Sequence, residues 1–280
     1  MRAEIDRVYS VEQVCHAMGM SRQAHYQWIA RCAECALEEQ IILQRVKEIR
    51  RRHPRMGGRK LHYLISQEFV EMGFCIGRDR FFALLAENDL LVDRRRRVVF
   101  TIHSRHCLRI YDNLIIDHKP AKPNQIWASD ITYLRTRTGF CYLALILDLY
   151  SRMIIGWTLG QSLAVEIALH ALRMALGQAK TTKGIIHHSD HGAQYCAEVY
   201  VKLLEEHAIR ISMAAKGNPY ENAFAERAIG ILKDEYRLDA FFNSYELANK
   251  AVKEVIYLYN YERPHTNINY LTPVQKHVIW

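Results

Sequence analysis

The sequence predicts an α/β fold, a mixed five-stranded sheet flanked by helices, preceded by an all-α front portion. Three observations predict it. From Asn124, β-rich runs at 126–135, 140–149 and 153–159 follow one another, with Gly139 and Ser151-Arg152 at the turns. Beyond them, helical and strand patterns alternate. Ahead of Pro123, apolar residues recur at helical spacing between glycine and proline breaks.

In chain order, Ser10 with Gln13 three residues later has the form of a capping box and opens a short helix through Met18. Gly19 permits a tight turn, and Ser21 caps a second helix from Arg22 to about Ala30. Helix, turn and capped helix within some twenty residues make a helix-turn-helix pattern, assigned to 1–35. In that reading Arg22, Gln23, His25 and Gln27 face the major groove of double-stranded DNA. A second helical unit, 36–93, expected to be helix-turn-helix-like and DNA-binding, is predicted from helices at 37–52, 59–72 and 78–88, with Phe81, Leu84 and Leu85 turned inward. Arg94, Arg95, Arg96 and Arg97 begin a basic linker, 94–123, whose guanidinium groups suit phosphate contacts. The remainder, 124–280, continues with a helix at 164–179, strands at 184–189 and 209–214, and helices at 197–207, 221–236 and 245–261.

Charge supports this division. The chain of 280 residues carries a net +8, and residues through Lys119 hold 21 basic against 15 acidic side chains. From Pro120 the balance is 17 against 15, so a basic front precedes a nearly neutral back, as in a polyanion grip joined to a chemical unit. The most apolar run, Leu143 to Leu149, is broken by Asp148 and too short for a membrane span. Seven scattered cysteines fit a reducing cytosol rather than a disulfide framework, which points to a cytoplasmic protein. Cys32 and Cys35 form a CxxC pair without histidines at zinc-finger spacing. Gly57-Gly58-Arg59-Lys60 lacks the phosphate-loop spacing, so ATP is not expected as a ligand.

The chemistry is read from three acids. Asp130 lies within the first strand, Asp190 ends the fourth, and Glu226 lies on the helix that follows the fifth. Three converging carboxylates suit hard divalent cations, which take oxygen ligands.

The strings around these acids are Trp127-Ala-Ser-Asp130-Ile-Thr-Tyr-Leu134, His188-Ser-Asp190-His-Gly-Ala-Gln-Tyr195 and Lys216-Gly-Asn-Pro-Tyr-Glu-Asn-Ala-Phe-Ala-Glu226. With Tyr259-Asn-Tyr-Glu-Arg263-Pro-His265 and Leu271-Thr-Pro273, the chain resembles second-frame (OrfB-type) transposases of insertion-sequence family three. The resemblance implies an RNase-H-like integrase catalytic core from about Pro120 onward. It departs at Glu221, where the family often has Asp, and at Arg227, where Ser is common. It further implies Asp130, Asp190 and Glu226 as catalytic, metal-binding residues for two Mg2+ ions, with Mn2+ as a substitute. The implied reactions are hydrolysis that frees a 3′-OH at the element end and attack of that 3′-OH on target DNA. Transesterification conserves phosphodiester bonds, in keeping with the missing ATP motif. The implied partners are terminal inverted repeats, target DNA and further copies of the chain, in a bacterial nucleoid-associated setting.

Near Glu226, Asn222 and Lys233 fall on the same helix face, and the resemblance makes Lys233 a contact to the DNA end. His188 and His191 flank Asp190; histidine matches Mg2+ poorly, so they are expected to support the site rather than ligate. Trp127, Tyr133 and Tyr142 are expected in the core, and Arg263-Pro264-His265 is expected to fix the tail. Two other classes remain: a DNA-binding protein that has lost its chemistry, against which the intact triad speaks, and a nuclease without strand transfer, against which two DNA-binding units speak.

Overall fold

The computed structural model describes residues 9–70, 73, 75–93, 109–116, 118–214 and 222–280. The chain divides into two compact units, Met1–Ile49 with Leu64–Leu91, and Arg50–Tyr63 with Val92–Trp280.

In the first unit, α1 (Val11–Ala17) opens with the expected capping box. Ser10 Oγ accepts from Gln13 N at 3.2 Å, and Gln13 Oε1 accepts from Ser10 N at 2.9 Å. Gly19 adopts φ +66°, which the turn into the next helix requires. Ser21 Oγ caps that helix by accepting from Ala24 N. One expectation fails here: α2 is a single 31-residue helix, Arg22–Arg52, and no break falls between 30 and 37. The reason is composition, because Arg31-Cys-Ala-Glu-Cys-Ala36 holds no Gly or Pro and several strong helix formers. Ile42, Val46 and Ile49 of α2 are buried, as are Phe81, Leu84 and Leu85 of α4 (Arg78–Glu87). Between them, α3 (Gly58–Val70) contributes Ile65 and Phe69. Arg45 makes a bidentate pair with Glu68, and Arg80 pairs with Glu39, joining α2 to its neighbours. Both pairs are solvent-accessible, so apolar burial supplies most of the stability.

The second unit is a sheet between helices. Strands β1 (Ile126–Thr136), β2 (Gly139–Asp148) and β3 (Ile154–Gly160) run antiparallel, and β4 (Ile186–Ser189) and β5 (Arg210–Met213) add in parallel. The order is β3-β2-β1-β4-β5. A sixth strand of two residues, β6 (Phe241–Phe242), pairs with Arg135 and Thr136 of β1, so the expected five-stranded sheet has six. Its brevity leaves no alternation to detect in the sequence.

Alternating residues on β1 and β2 send side chains to opposite faces. Leu143, Leu145 and Leu147 pack toward α8 (Ala223–Tyr236) and α9 (Tyr245–Tyr261). Trp127, Ala144 and Ile146 pack toward α5 (Val165–Gln178) and α7 (Glu198–Glu206), beyond the single-turn α6 (Ala193–Cys196). Gly156 marks the closest approach of β3 to α5: a Cβ there would lie 2.2 Å from the Ala171 carbonyl oxygen. Gly156→Ala is expected to cost about 1–3 kcal/mol, as overpacking does; an unchanged urea midpoint would contradict this close packing.

Residues 50–63 belong to this second unit through a buried polar network. Glu235, near the end of α8, accepts two bonds from Arg263 at 2.8 and 2.7 Å and two from Lys60 at 2.8 and 3.0 Å. Burial opposes its charge, but the Arg263 guanidinium and the Lys60 ammonium win and hold its pKa at about 2. His53 Nδ1 meets Tyr236 Oη at 2.9 Å, and the Tyr63 and Tyr270 rings stack at 4.4 Å. The tail is fixed as expected, with Arg263 paired and His265 edge-on to Tyr259 before α10 (Pro273–Val278).

Burial, then Arg52 and Arg263, lowers His53 to about 4, and burial, then Arg263, lowers His265 to about 2. Glu262 Oε2 lies 3.5 Å from His53 Nε2, and the Glu235 charge favours the protonated ring but is outweighed. An unfolded histidine takes its proton near 6.5 while these remain neutral, so acid favours the unfolded chain below that value. At pH 5 each should cost about 2 kcal/mol relative to pH 7. Urea unfolding at both pH values tests this; equal stability would contradict the neutral buried rings.

Candidate active site

The register of β1 and β4 explains why two distant acids are neighbours. Their parallel ladder runs Ile126↔Ile186, Trp127↔His187 and Ala128↔His188. Asp130 and Asp190 each stand two residues beyond its last pair. Equal offsets along adjacent parallel strands bring both to the carboxyl edge of the sheet, where open α/β sheets place their ligand crevices. Asp130 is half-buried and accepts from the Ile131 N–H at 2.8 Å; Asp190 is exposed and accepts from the Gly192 N–H at 2.9 Å.

Glu226 comes from the first turn of α8. The helix cap is tied to β1, because buried Asn222 donates from Nδ2 to the Ser129 carbonyl at 3.0 Å, beside Asp130. Asn222 O in turn accepts from Glu226 N at 3.2 Å. One amide thus links the residue before Asp130 to the turn carrying Glu226.

The electrostatics bear the mark of crowded carboxylates. Burial first, then the Asp190 charge, raises the Asp130 pKa to about 8; Glu226 pushes the same way, while the Ile131 N–H and Lys233 oppose. Asp130 therefore tends to hold a proton at neutral pH, a tendency that a divalent cation among these oxygens would reverse. Among the described residues, however, no three Asp, Glu, His or Cys side chains lie close enough to enclose an ion. The trio shares a field without forming a closed cage. Its donor chemistry fits a hard cation, and Asp190 and Glu226 are both exposed.

Other expected residues divide clearly. Buried His188 bonds Ser212 Oγ at 2.9 Å, tying β4 to β5, and His191 is half-buried beside Asp190. Trp127 is in the core and Tyr142 half-buried, but Tyr133 departs from expectation: it is 38% exposed, with Lys233 Nζ 4.6 Å from its ring centroid. Past Asp130 the strand alternates, with Leu134 and Thr136 buried and Tyr133 and Arg135 exposed, so Tyr133 falls on the open face. Arg22, Gln23 and Gln27 are exposed at the start of α2, with His25 half-buried. Cys32 and Cys35 are exposed on the same helix. Arg94, Arg95, Arg96, Arg97 and Glu221 lie outside the described residues. Missed from sequence was a buried chain beneath Asp130: Ser129 Oγ and Tyr200 Oη both meet His187 Nε2, at 2.6 and 2.9 Å. Burial, then His188, keeps His187 neutral, its pKa lowered to about 3. All four residues of β4 are buried, so the available signal was a polar His187 inside a strand with no exposed position.

Two family profiles, both described as Integrase core domain, match residues 120–219 and 207–273. The chain is 35% identical over 265 residues to the Insertion element IS600 uncharacterized 31 kDa protein of Shigella sonnei, covering 93% of this chain and 96% of that protein. It is 32% identical over 276 residues to transposase InsF for insertion sequence IS3A of Escherichia coli K12, covering 95% and 93%. The chain belongs to the IS3 family of insertion-sequence transposases. Its sheet and flanking helices form the RNase-H-like integrase core. A chain from the simian T-cell lymphotropic virus intasome shares that fold, at 20% identity and a TM-score of 0.50, covering 79% of this transposase and 74% of its own length. No helix among the described residues is long and apolar enough to cross a membrane.

Proposed function

We propose that this chain binds the terminal inverted repeats of an insertion sequence, cleaves there to free a 3′-OH, and joins that end to target DNA. Asp130, Asp190 and Glu226 hold two Mg2+ ions, for which Mn2+ substitutes. When bound, the ions supply Lewis acidity at the scissile phosphate and favour the deprotonated attacking oxygen. The side chains do the rest. Asn222 sets the spacing between Asp130 and the Glu226 turn, and His188 and His191 support the strand end that carries Asp190. Lys233 neutralises a phosphate of the DNA end. Arg22, Gln23, His25 and Gln27 read the repeat, while Arg94 to Arg97 grip the backbone. The chain acts as an oligomer on two DNA ends, without ATP, in the bacterial cytoplasm at the nucleoid.

The observation that carries this reading is the matched offset of Asp130 and Asp190 past the β1–β4 ladder, with Asp130 raised first by burial and then by the charges of both partner acids. The test is joining of labelled element-end duplexes by the full chain with Mg2+. Products longer than the input support it. Cleavage without joining would leave a nuclease, and salt-sensitive binding alone would leave a DNA binder.

A further inference from the structure

We propose that Tyr133 is a positioning residue: its ring holds the Lys233 ammonium at the mouth of the acidic site, leaving that charge for a DNA-end phosphate. This rests on reading Lys233 as an end contact. Lys233 stands two turns after Glu226 on α8, half-buried, and its ammonium lies 4.6 Å from the Tyr133 centroid. Asp130, Asp234 and Asp239 all attract it, with Arg135 opposing. In such surroundings a flexible lysine normally closes onto a carboxylate. That contact would cancel the positive charge a phosphate needs and, at Asp130, occupy an oxygen a cation needs. Among the described residues the ammonium rests instead on an aromatic face.

The ring is suited to this task. It attracts a cation through its quadrupole without neutralising it, and weakly enough for a phosphate to displace it. Phe140 packs edge-on against Tyr133 at 5.3 Å and 79°, fixing the ring from the next strand. Both aromatics are solvent-accessible, Tyr133 at 38% and Phe140 at 54%, so core packing does not account for the choice of Tyr133. The accessible side of the ring leaves a path for nucleic acid.

The experiment compares wild type, Tyr133→Leu, Tyr133→Phe, Lys233→Ala and the Tyr133→Leu/Lys233→Ala double variant, all as full chains with saturating Mg2+. The probe is a labelled duplex bearing the element terminus, and KM and kcat for joining are measured separately. Tyr133→Leu is expected to raise KM about two- to fivefold with kcat little changed, the loss of one cation–ring contact. Tyr133→Phe, which keeps the ring, should behave as wild type, and Tyr133→Leu should add nothing to Lys233→Ala. Should Tyr133→Leu fold poorly by thermal melting, Tyr133→Thr, suited to a strand, takes its place. A wild-type KM in the leucine variant, or full additivity in the double variant, overturns the role of Tyr133. A wild-type KM in Lys233→Ala overturns the end-contact reading on which it rests.

Discussion

Asp130→Asn should lower both end cleavage and strand transfer by about a thousandfold or more, the rate equivalent of losing several kcal/mol of charge stabilisation at the phosphate. Asparagine keeps the shape and the acceptor for the Ile131 N–H, so the fold should persist. It also removes the acid on which the other two act. Without a charge at 130 the fields of Asp190 and Glu226 no longer converge on a titratable group, and cation affinity falls with the rate. End binding, which depends on other residues in this account, should change less than about twofold by gel shift. Joining within tenfold of wild type would remove Asp130 from the site. Equal loss of binding and joining would instead indicate a misfolded chain, and circular dichroism separates the two.

Glu235→Ala should produce the largest change in stability, about 3–5 kcal/mol, because it strands two buried cations. Arg263 is 4% exposed and always charged, and it would lose Glu235, the carboxylate it pairs with among the described residues. Lys60 softens the loss: burial, with Arg263 next, already lowers it to about 8, and without Glu235 it can shed its proton. Urea unfolding is the measurement. Activity should fall with it, since the same helix carries Glu226, Lys233 and Glu235 along its length. Replacing Lys60, Glu235 and Arg263 together by Met, Leu and Met should recover most of the stability, because well-packed apolar groups often replace a buried ionic cluster at no net cost. A Glu235→Ala chain as stable as wild type would show that the network is dispensable.

Much of the fold was legible where period and punctuation agree. Strands β1 to β5 and the helices α5, α7, α8 and α9 follow from alternation or 3.6 spacing between clear breaks. What escaped has physical causes. The continuous α2 shows that a polar stretch rich in Ala, Arg and Glu is still helix without a breaker. Residues 50–63 read as part of the front helices, yet Arg52, His53, Lys60 and Tyr63 are held by partners 175 to 210 positions away. No local pattern encodes such contacts. The three acids stood out by their places on two strands and a helix, and the resemblance named them as a set; the adjacency of Asp130 and Asp190 depends on the parallel β1–β4 register, which sequence spacing does not fix. Asp148 shows the opposite case. Equally strand-borne but fully buried, it is occupied by the Asn124 and Ser151 N–H groups and the Ser151 hydroxyl, and so serves a turn.

The most direct test is to locate manganese by anomalous scattering in crystals of the full chain bound to an element-end duplex and soaked in Mn2+. Ions bonded to Asp130 and Asp190, with Glu226 turned in to complete the set beside the terminal phosphate, are the predicted result. A seated DNA end with manganese elsewhere, or with those three side chains still apart, would contradict the account.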